Sequence, residues 1–127
     1  MKPFTVIEPY TTKNGTQCYI SLFVYWYDEP QTFLVAEYHA RLYFCGYVIV
    51  KSKRLFNKLQ GLYFTNRLTS LDCHGGVTYC DSYYDKGNAI GFGCCHGGDN
   101  LDKCNKDYIK EQLELLSESL DTLRDNL

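Results

Sequence analysis

The C-terminal segment of this 127-residue chain repeats large apolar residues at alternating steps of four and three. These residues are Ile109, Leu113, Leu116, Leu120, Leu123 and Leu127. The spacing predicts an amphipathic helix with a single apolar stripe. Asn105 is the predicted N-cap, and Asp107 lies in the first turn, where a carboxylate meets the positive end of the helix dipole. Because a coiled-coil seam needs roughly three or four heptads, we expect this shorter stripe to pack on a sheet.

The segments before this helix are rich in aromatic and β-branched residues and are separated by turn signals, which is typical of strands. We predict strands at 4–10, 17–27, 32–38, 43–50, 77–80 and 89–94, with a helical turn at 36–41 as the alternative for the third. The first two are joined through Asn14-Gly15, a pair that accepts the positive φ of a tight turn. The near-continuous apolar run at 43–50 indicates a central strand. Between the strands, 51–60 predicts a short helix or a basic loop that ends at Gly61.

Length and composition place these elements in one α+β domain, residues 1–127, with a mainly antiparallel sheet and the C-terminal amphipathic helix on one face. The sequence is 45% hydrophobic and 16% aromatic, as expected of a folded domain. A net charge of −2 gives no basic field, so we expect no direct nucleic-acid binding. The apolar stretches are too short for a bilayer and no secretory leader is recognisable, so we expect a cytoplasmic protein without a membrane partner.

The tetrapeptide Cys-His-Gly-Gly occurs twice, at Cys73–Gly76 and at Cys95–Gly98, and Asp99 follows the second copy. Paired glycines allow sharp turns and the close approach of another group. A histidine side chain is near neutral, binds metals and moves protons. The seven cysteines form no Cys-x-x-Cys pair, and we expect them to be reduced thiols. The duplicated segment is therefore the candidate site.

Hairpin formation would bring the two copies together. The strands predicted at 77–80 and 89–94 can pair around a turn at 81–88, and the outer ends of paired strands lie side by side. We therefore expect the imidazoles of His74 and His96 to share one small space.

Four interpretations fit such a space. Imidazole, thiolate and carboxylate groups can bind zinc or iron. Gly-Gly turns can hold an anion or phosphate through backbone amides, while nearby tyrosines stack on a base. Cys73 or Cys95 could act as a nucleophile, activated by His74 or His96 and oriented by Asp99. Finally, both copies could serve only as turns and packing elements.

Of the functional interpretations, we favour ligand binding. The predicted ligand-binding residues are His74, Gly75, Gly76, Tyr79, His96, Gly97 and Asp99. We assign no catalytic residue, no metal ligand and no cofactor, although the residue types admit zinc. Cys104 lies just before the C-terminal helix, whose dipole can lower the pKa of a thiol, but no base lies near it in the sequence.

Three segments stand in a fixed order ahead of the C-terminal helix. They are Cys45-Gly46-Tyr47-Val48, His74-Gly75-Gly76-Val77-Thr78-Tyr79 and Gly91-Phe92-Gly93-Cys94-Cys95-His96-Gly97-Gly98-Asp99. This order resembles a family of small bacteriophage and prophage proteins with Cys-Gly-Tyr-Val, His-Gly-Gly-x-Thr-Tyr and Gly-Phe-Asp-Cys-Ala-His-x-Gly-Asp segments. The resemblance covers roughly residues 43–120, about 60% of the chain, and leaves 1–42 as a variable β-rich part. Gly93 and Cys95 stand where the family has Asp and Ala.

The resemblance implies a phage or mobile-element origin and the cytoplasm of an infected bacterial host. No activity is established for that family, so it implies no catalytic role. By analogy, we expect a non-enzymatic binding protein that inhibits a host defence, either by blocking an effector such as a CRISPR nuclease or by sequestering a nucleotide signal. Its partner would be a host defence protein, contacted through the tyrosine-rich N-terminal part, or a small nucleotide; self-association stays open. The alternative is a small metal- or cysteine-dependent hydrolase that uses the His74 and His96 loops.

Overall fold

The structure, a computed structural model, describes residues 4–27, 39–94 and 101–126, so the strand predicted at 32–38 lies outside the described residues. Within these ranges the chain forms five strands and two helices. In chain order they are β1 (Phe4–Thr11), β2 (Gln17–Tyr27), β3 (His39–Ile49), α1 (Lys53–Phe64), β4 (Tyr79–Ser82), β5 (Asn88–Gly93) and α2 (Lys106–Asp125). The strands form one antiparallel sheet in the order β1-β2-β3-β5-β4, which confirms the predicted α+β class and the central position of β3.

A tight hairpin joins β1 to β2 at the predicted Asn-Gly turn. Thr11 pairs with Gln17 at its end, and the backbone N–H of Thr12 donates to the carbonyl of Thr16 at 3.0 Å. Gly15 has a φ of 86°, a backbone conformation that favours glycine. The Asn14 side chain reaches α2, where its amide nitrogen donates to the Asp121 carboxylate at 2.6 Å. The tip of the hairpin is therefore attached to the C-terminal helix.

Helix α2 packs on the sheet through the predicted apolar stripe. Ile109, Leu113 and Leu116 are fully buried, and the helix lies mainly against β3. Leu127, the last residue of the stripe, lies outside the described residues. The Asn105 side chain accepts a hydrogen bond from the backbone N–H of Tyr108 at 2.9 Å, so the predicted N-cap is confirmed. No helix in the described ranges has the length and apolarity to cross a bilayer.

Helix α1 starts at an N-cap serine and continues past the glycine that was expected to end it. The Ser52 hydroxyl accepts from the backbone N–H of Leu55 at 3.1 Å. Leu55, Phe56 and Leu59 are buried, as their helical spacing predicts. The expectation that Gly61 ends this helix is wrong, because α1 runs through it to Phe64. A glycine inside a helix costs only about 1 kcal/mol, which the burial of the three apolar side chains outweighs.

The two faces of the sheet have different surroundings. Side chains of α1 and α2 join one apolar core with Ile20, Val48 and Ile90. The opposite face carries a separate aromatic cluster, in which Tyr47 and Tyr83 are buried. Because side chains alternate along a strand, neighbouring residues such as Tyr47 and Val48 belong to opposite faces. Both described helices therefore cover the same face, and the other face is aromatic.

Two glycines on the central strands leave room for bulky side chains that pack against them. A Cβ at Gly46 would lie 2.7 Å from the Phe92 ring and 3.0 Å from a methyl group of Leu113. On the other face, a Cβ at Gly91 would lie 2.6 Å from the Tyr47 ring and 2.7 Å from the carbonyl oxygen of Gly46. The first glycine thus makes room for the contact between sheet and α2, and the second makes room for the aromatic cluster.

We predict that Gly91→Ala lowers the free energy of unfolding by about 1–3 kcal/mol, because the added methyl group overlaps a backbone oxygen that cannot rotate away. The matched control is Gly61→Ala, whose Cβ meets nothing within 4 Å and lies inside α1. That control should be neutral or more stable by up to about 1 kcal/mol. Urea denaturation followed by circular dichroism measures both changes. Equal stabilities for the two variants would contradict the close packing at Gly91.

Candidate functional site

Strands β4 and β5 form the hairpin that the sequence predicts. Tyr79 pairs with Gly91, and the backbone N–H of Thr78 donates to the carbonyl of Gly91 at 2.9 Å. The turn is shorter than the predicted 81–88, because Asp81 and Ser82 belong to β4. The outer ends of this hairpin carry the first Cys-His-Gly-Gly segment on one side and Cys94 on the other. The second segment lies outside the described residues.

The first Cys-His-Gly-Gly segment is a tight turn. The backbone N–H of Gly76 donates to the carbonyl of Cys73 at 3.0 Å. Gly75 and Gly76 have φ values of 69° and 78°, in the region that L side chains rarely adopt. The glycine pair is therefore required by the backbone of this turn, which places the His74 side chain against the end of the sheet.

His74 contacts the start of α2 through both ring nitrogens. Its Nδ1 lies 2.8 Å from the Tyr108 hydroxyl, and the two rings meet edge to face with centroids 5.4 Å apart. Its Nε2 lies 3.9 Å from the sulfur of Cys104. Sequence reasoning found no base near Cys104, because these residues are 30 positions apart and meet only when α2 docks on the sheet.

Cys94 completes a compact group with these two residues. The nitrogen or sulfur atoms of His74, Cys94 and Cys104 all lie within 4.8 Å of one another. Both cysteines are buried, whereas His74 is half-buried. Cys94 directly follows β5 and is held against β3, since its backbone N–H donates to the carbonyl of Phe44 at 2.9 Å. Sequence analysis did not select Cys94, whose distances of 20 and 10 residues from the other two match no familiar ligand motif.

Of the other predicted site residues, one lies on the opposite face of the sheet and three lie in a segment outside the described residues. Tyr79 packs edge to face on Tyr47, with centroids 5.1 Å apart, and its hydroxyl donates to the carbonyl of Ser82. It therefore belongs to the aromatic cluster, whereas His74 packs against the helix-covered core. The predicted residues His96, Gly97 and Asp99 lie outside the described residues. The expected meeting of the two imidazoles stays a prediction.

The aromatic face is built on stacked tyrosines. Tyr83 stacks on Tyr47 with centroids 4.2 Å apart and lies 5.9 Å from the Tyr19 ring. The hydroxyl groups of Tyr83 and Ser21 form a buried hydrogen bond. Burial raises the pKa of Tyr83 to about 12 and also raises that of Tyr47. These hydroxyls are therefore protonated, uncharged groups at neutral pH.

A groove of about 530 Å³ borders this face at the turn between β4 and β5. Its walls include Pro9, Gln17, Tyr19, Tyr84, Asp85 and Lys86. Tyr84 has a φ of 48°, unusual for a residue with a side chain, and its exposed fraction is 62%. The Lys86 ammonium lies 5.5 Å from the centroid of the Tyr19 ring and 3.4 Å from the Asp85 carboxylate. The groove thus combines one exposed and one half-buried aromatic ring with one cation and one anion.

Comparison with known proteins gives no relative: no family model, curated protein or solved structure matches this chain. The similarity to phage and prophage proteins therefore stays a resemblance of short segments.

We predict that Cys73 is a poor nucleophile. Burial, and secondarily the charge of Asp72, raises the pKa of its thiol from 9.0 to about 12. Three pKa units lower the thiolate fraction at neutral pH about 1000-fold, so alkylation should be at least about 100-fold slower than that of an exposed thiol. Timed reaction with iodoacetamide at pH 8, followed by peptide mass mapping, measures this rate. The urea-unfolded chain is the control, and fast labelling of native Cys73 would support the nucleophile interpretation instead.

Proposed function

We propose that this chain is a small binding protein of a bacteriophage or mobile element that sequesters a nucleotide signal and thereby inhibits a host defence. The observation that supports this proposal is the exposed Tyr84 ring, held at positive φ beside the groove. We infer the phage or mobile-element origin from the resemblance to phage and prophage proteins. We infer the nucleotide ligand from the chemistry of the groove.

The groove offers each type of group that a nucleotide needs. The exposed Tyr84 ring offers a surface for a base, and stacking of a base on an aromatic side chain contributes about 1–3 kcal/mol. The Lys86 ammonium can pair with a phosphate. Gln17 and Asp85 provide an amide and a carboxylate for the polar edge of a base. The volume of about 530 Å³ falls in the range of small-molecule pockets.

Tyr84 has a left-handed backbone conformation in the turn between β4 and β5. A residue with a side chain in the left-handed region costs about 1 kcal/mol or more, and such residues cluster at binding sites. In the same turn, Gly87 has a φ of 111°, which carries no such penalty. The Tyr84 ring packs edge to face on Tyr83, with centroids 4.9 Å apart, so its position is supported by the stacked cluster below it. A preorganised ring reduces the entropy lost when a ligand binds.

Two described thiols favour binding over cysteine catalysis. Burial raises the pKa of Cys18 to about 12 and that of Cys80 to about 11. Thiols with these pKa values are protonated at neutral pH, whereas a nucleophile needs the thiolate. The aromatic groove requires no ionised thiol for its action.

We predict saturable binding of one nucleotide per chain, measured by isothermal titration calorimetry with adenosine and guanosine mononucleotides, cyclic mononucleotides and cyclic dinucleotides. Tyr84→Ala should weaken the affinity of the best ligand about 5- to 150-fold, the equivalent of the stacking energy. Tyr84→Phe should retain most of it, because the ring remains. Lys86→Ala should weaken binding of phosphorylated ligands but not of the nucleoside.

Phe64→Ala is the matched control, since Phe64 is an aromatic residue with an exposed fraction of 71% that does not line the groove. In infected cells carrying a nucleotide-signalling defence, the native chain should restore phage growth and Tyr84→Ala should not. Absence of binding by the folded protein to every nucleotide tested would refute the proposal and favour direct blocking of a defence effector.

A further inference from the structure

We infer that His74, Cys94 and Cys104 form a zinc site at the end of the sheet, on the face covered by the helices. This site is separate from the groove at Tyr84, which borders the opposite face. The inference rests on the distances among three ligand atoms, on the orientation of the imidazole and on the burial of the two sulfurs.

The ligand atoms are close to zinc geometry. With Zn–N near 2.1 Å and Zn–S near 2.3 Å, the ligands of a tetrahedral ion lie about 3.6–3.8 Å apart. The His74 Nε2 to Cys104 Sγ distance is 3.9 Å, and all three atoms lie within 4.8 Å of one another. Movements of at most about 1 Å therefore bring the group around one ion. Water supplies the remaining position in zinc sites with three protein ligands.

Tyr108 orients the imidazole for this role. A histidine ligand usually donates its second ring N–H to a neighbouring acceptor, which fixes the tautomer and the ring orientation. In the metal-bound tautomer, Nδ1–H of His74 donates to the Tyr108 hydroxyl oxygen 2.8 Å away. The lone pair of Nε2 then faces the sulfur of Cys104. Tyr108 thus acts as a positioning residue.

Charge and ligand type select the ion. Cys94 and Cys104 have exposed fractions of only 4% and 3%, so an ion bound between them is largely removed from water. As thiolates they carry two negative charges, which balance the charge of Zn²⁺ and avoid a net buried charge. Sulfur and imidazole ligands favour zinc over magnesium or calcium, which bind to oxygen.

The site would join three separate parts of the chain. His74 lies in the turn before β4, Cys94 follows the last residue of β5, and Cys104 precedes the N-cap of α2. A metal bound here would restrain both ends of the segment between β5 and α2. Its effect would be to hold these three parts of the chain together, because the free energy of metal binding adds to the free energy of folding.

The test is the metal content of the full chain, expressed with zinc and purified without chelator under reducing conditions. Elemental analysis and native mass spectrometry should find about one zinc per chain. Cys94→Ser and Cys104→Ser should lose it. Cys73→Ser is the matched control, because Cys73 precedes His74 in sequence but is not one of the three clustered ligands. Tyr108→Phe, which keeps the ring, should weaken zinc binding about 10- to 100-fold.

Cobalt(II) added to the metal-free protein should give the d–d bands of a tetrahedral ion and thiolate-to-cobalt charge-transfer bands. At cobalt concentrations high enough to load the weakened Cys94→Ser variant, the charge-transfer absorption should be about half that of the native protein, a change that a merely structural role for Cys94 would not produce. Circular dichroism confirms that each variant is folded. Metal-free native protein after zinc supplementation, an octahedral cobalt spectrum, a Cys94–Cys104 disulfide, or zinc loss in Cys73→Ser but not in Cys104→Ser would overturn the inference.

Discussion

The packing of α2 on the middle of the sheet determines where the polar groups of this protein meet. Leu113 and Phe92 converge over Gly46, the position where β3 has no side chain. Burial of each large apolar side chain contributes about 1.5–3 kcal/mol, whereas a single hydrogen bond contributes about 1 kcal/mol. The apolar stripe therefore fixes the rotation of α2 about its own axis and its position along that axis relative to the sheet. The contacts of Tyr108 and Cys104 with His74 follow from that position.

The alternation of side chains along the strands gives the molecule two chemically different regions. On β5, Ile90 and Phe92 enter the core beneath the helices, while Ala89 and Gly91 face the aromatic cluster. The small residues on the second face leave room for stacked tyrosine rings. The sulfur and imidazole ligands thus gather on the helix-covered face, and the exposed aromatic groove borders the other. A residue in one region can therefore be substituted without changing a side chain that packs in the core of the other region.

Much of the fold could be predicted because it depends on local periodicity. The stripe from Ile109 to Leu123 and the Asn14-Gly15 turn are recognisable within short segments. Helix α1 was bounded wrongly, because burial of its apolar residues outweighs the low helix propensity of Gly61. The group around His74 could not be predicted from spacing, since its members come together only through the register of β5 and the docking of α2. The sequence pattern around Cys94 also predicts an ordinary strand residue, because its neighbours are apolar.

The hairpin of β4 and β5 connects the two proposals physically. Strand β4 has four residues and lies at the edge of the sheet, and so short a pair is only marginally stable by itself. The Tyr84 turn closes one end of this hairpin, while His74 and Cys94 lie at its open end. A metal ion that joins the open end would lower the conformational entropy of the whole hairpin, including the turn. Restraint at the metal site would thus keep the Tyr84 ring in place for a ligand, with no direct contact between the two regions.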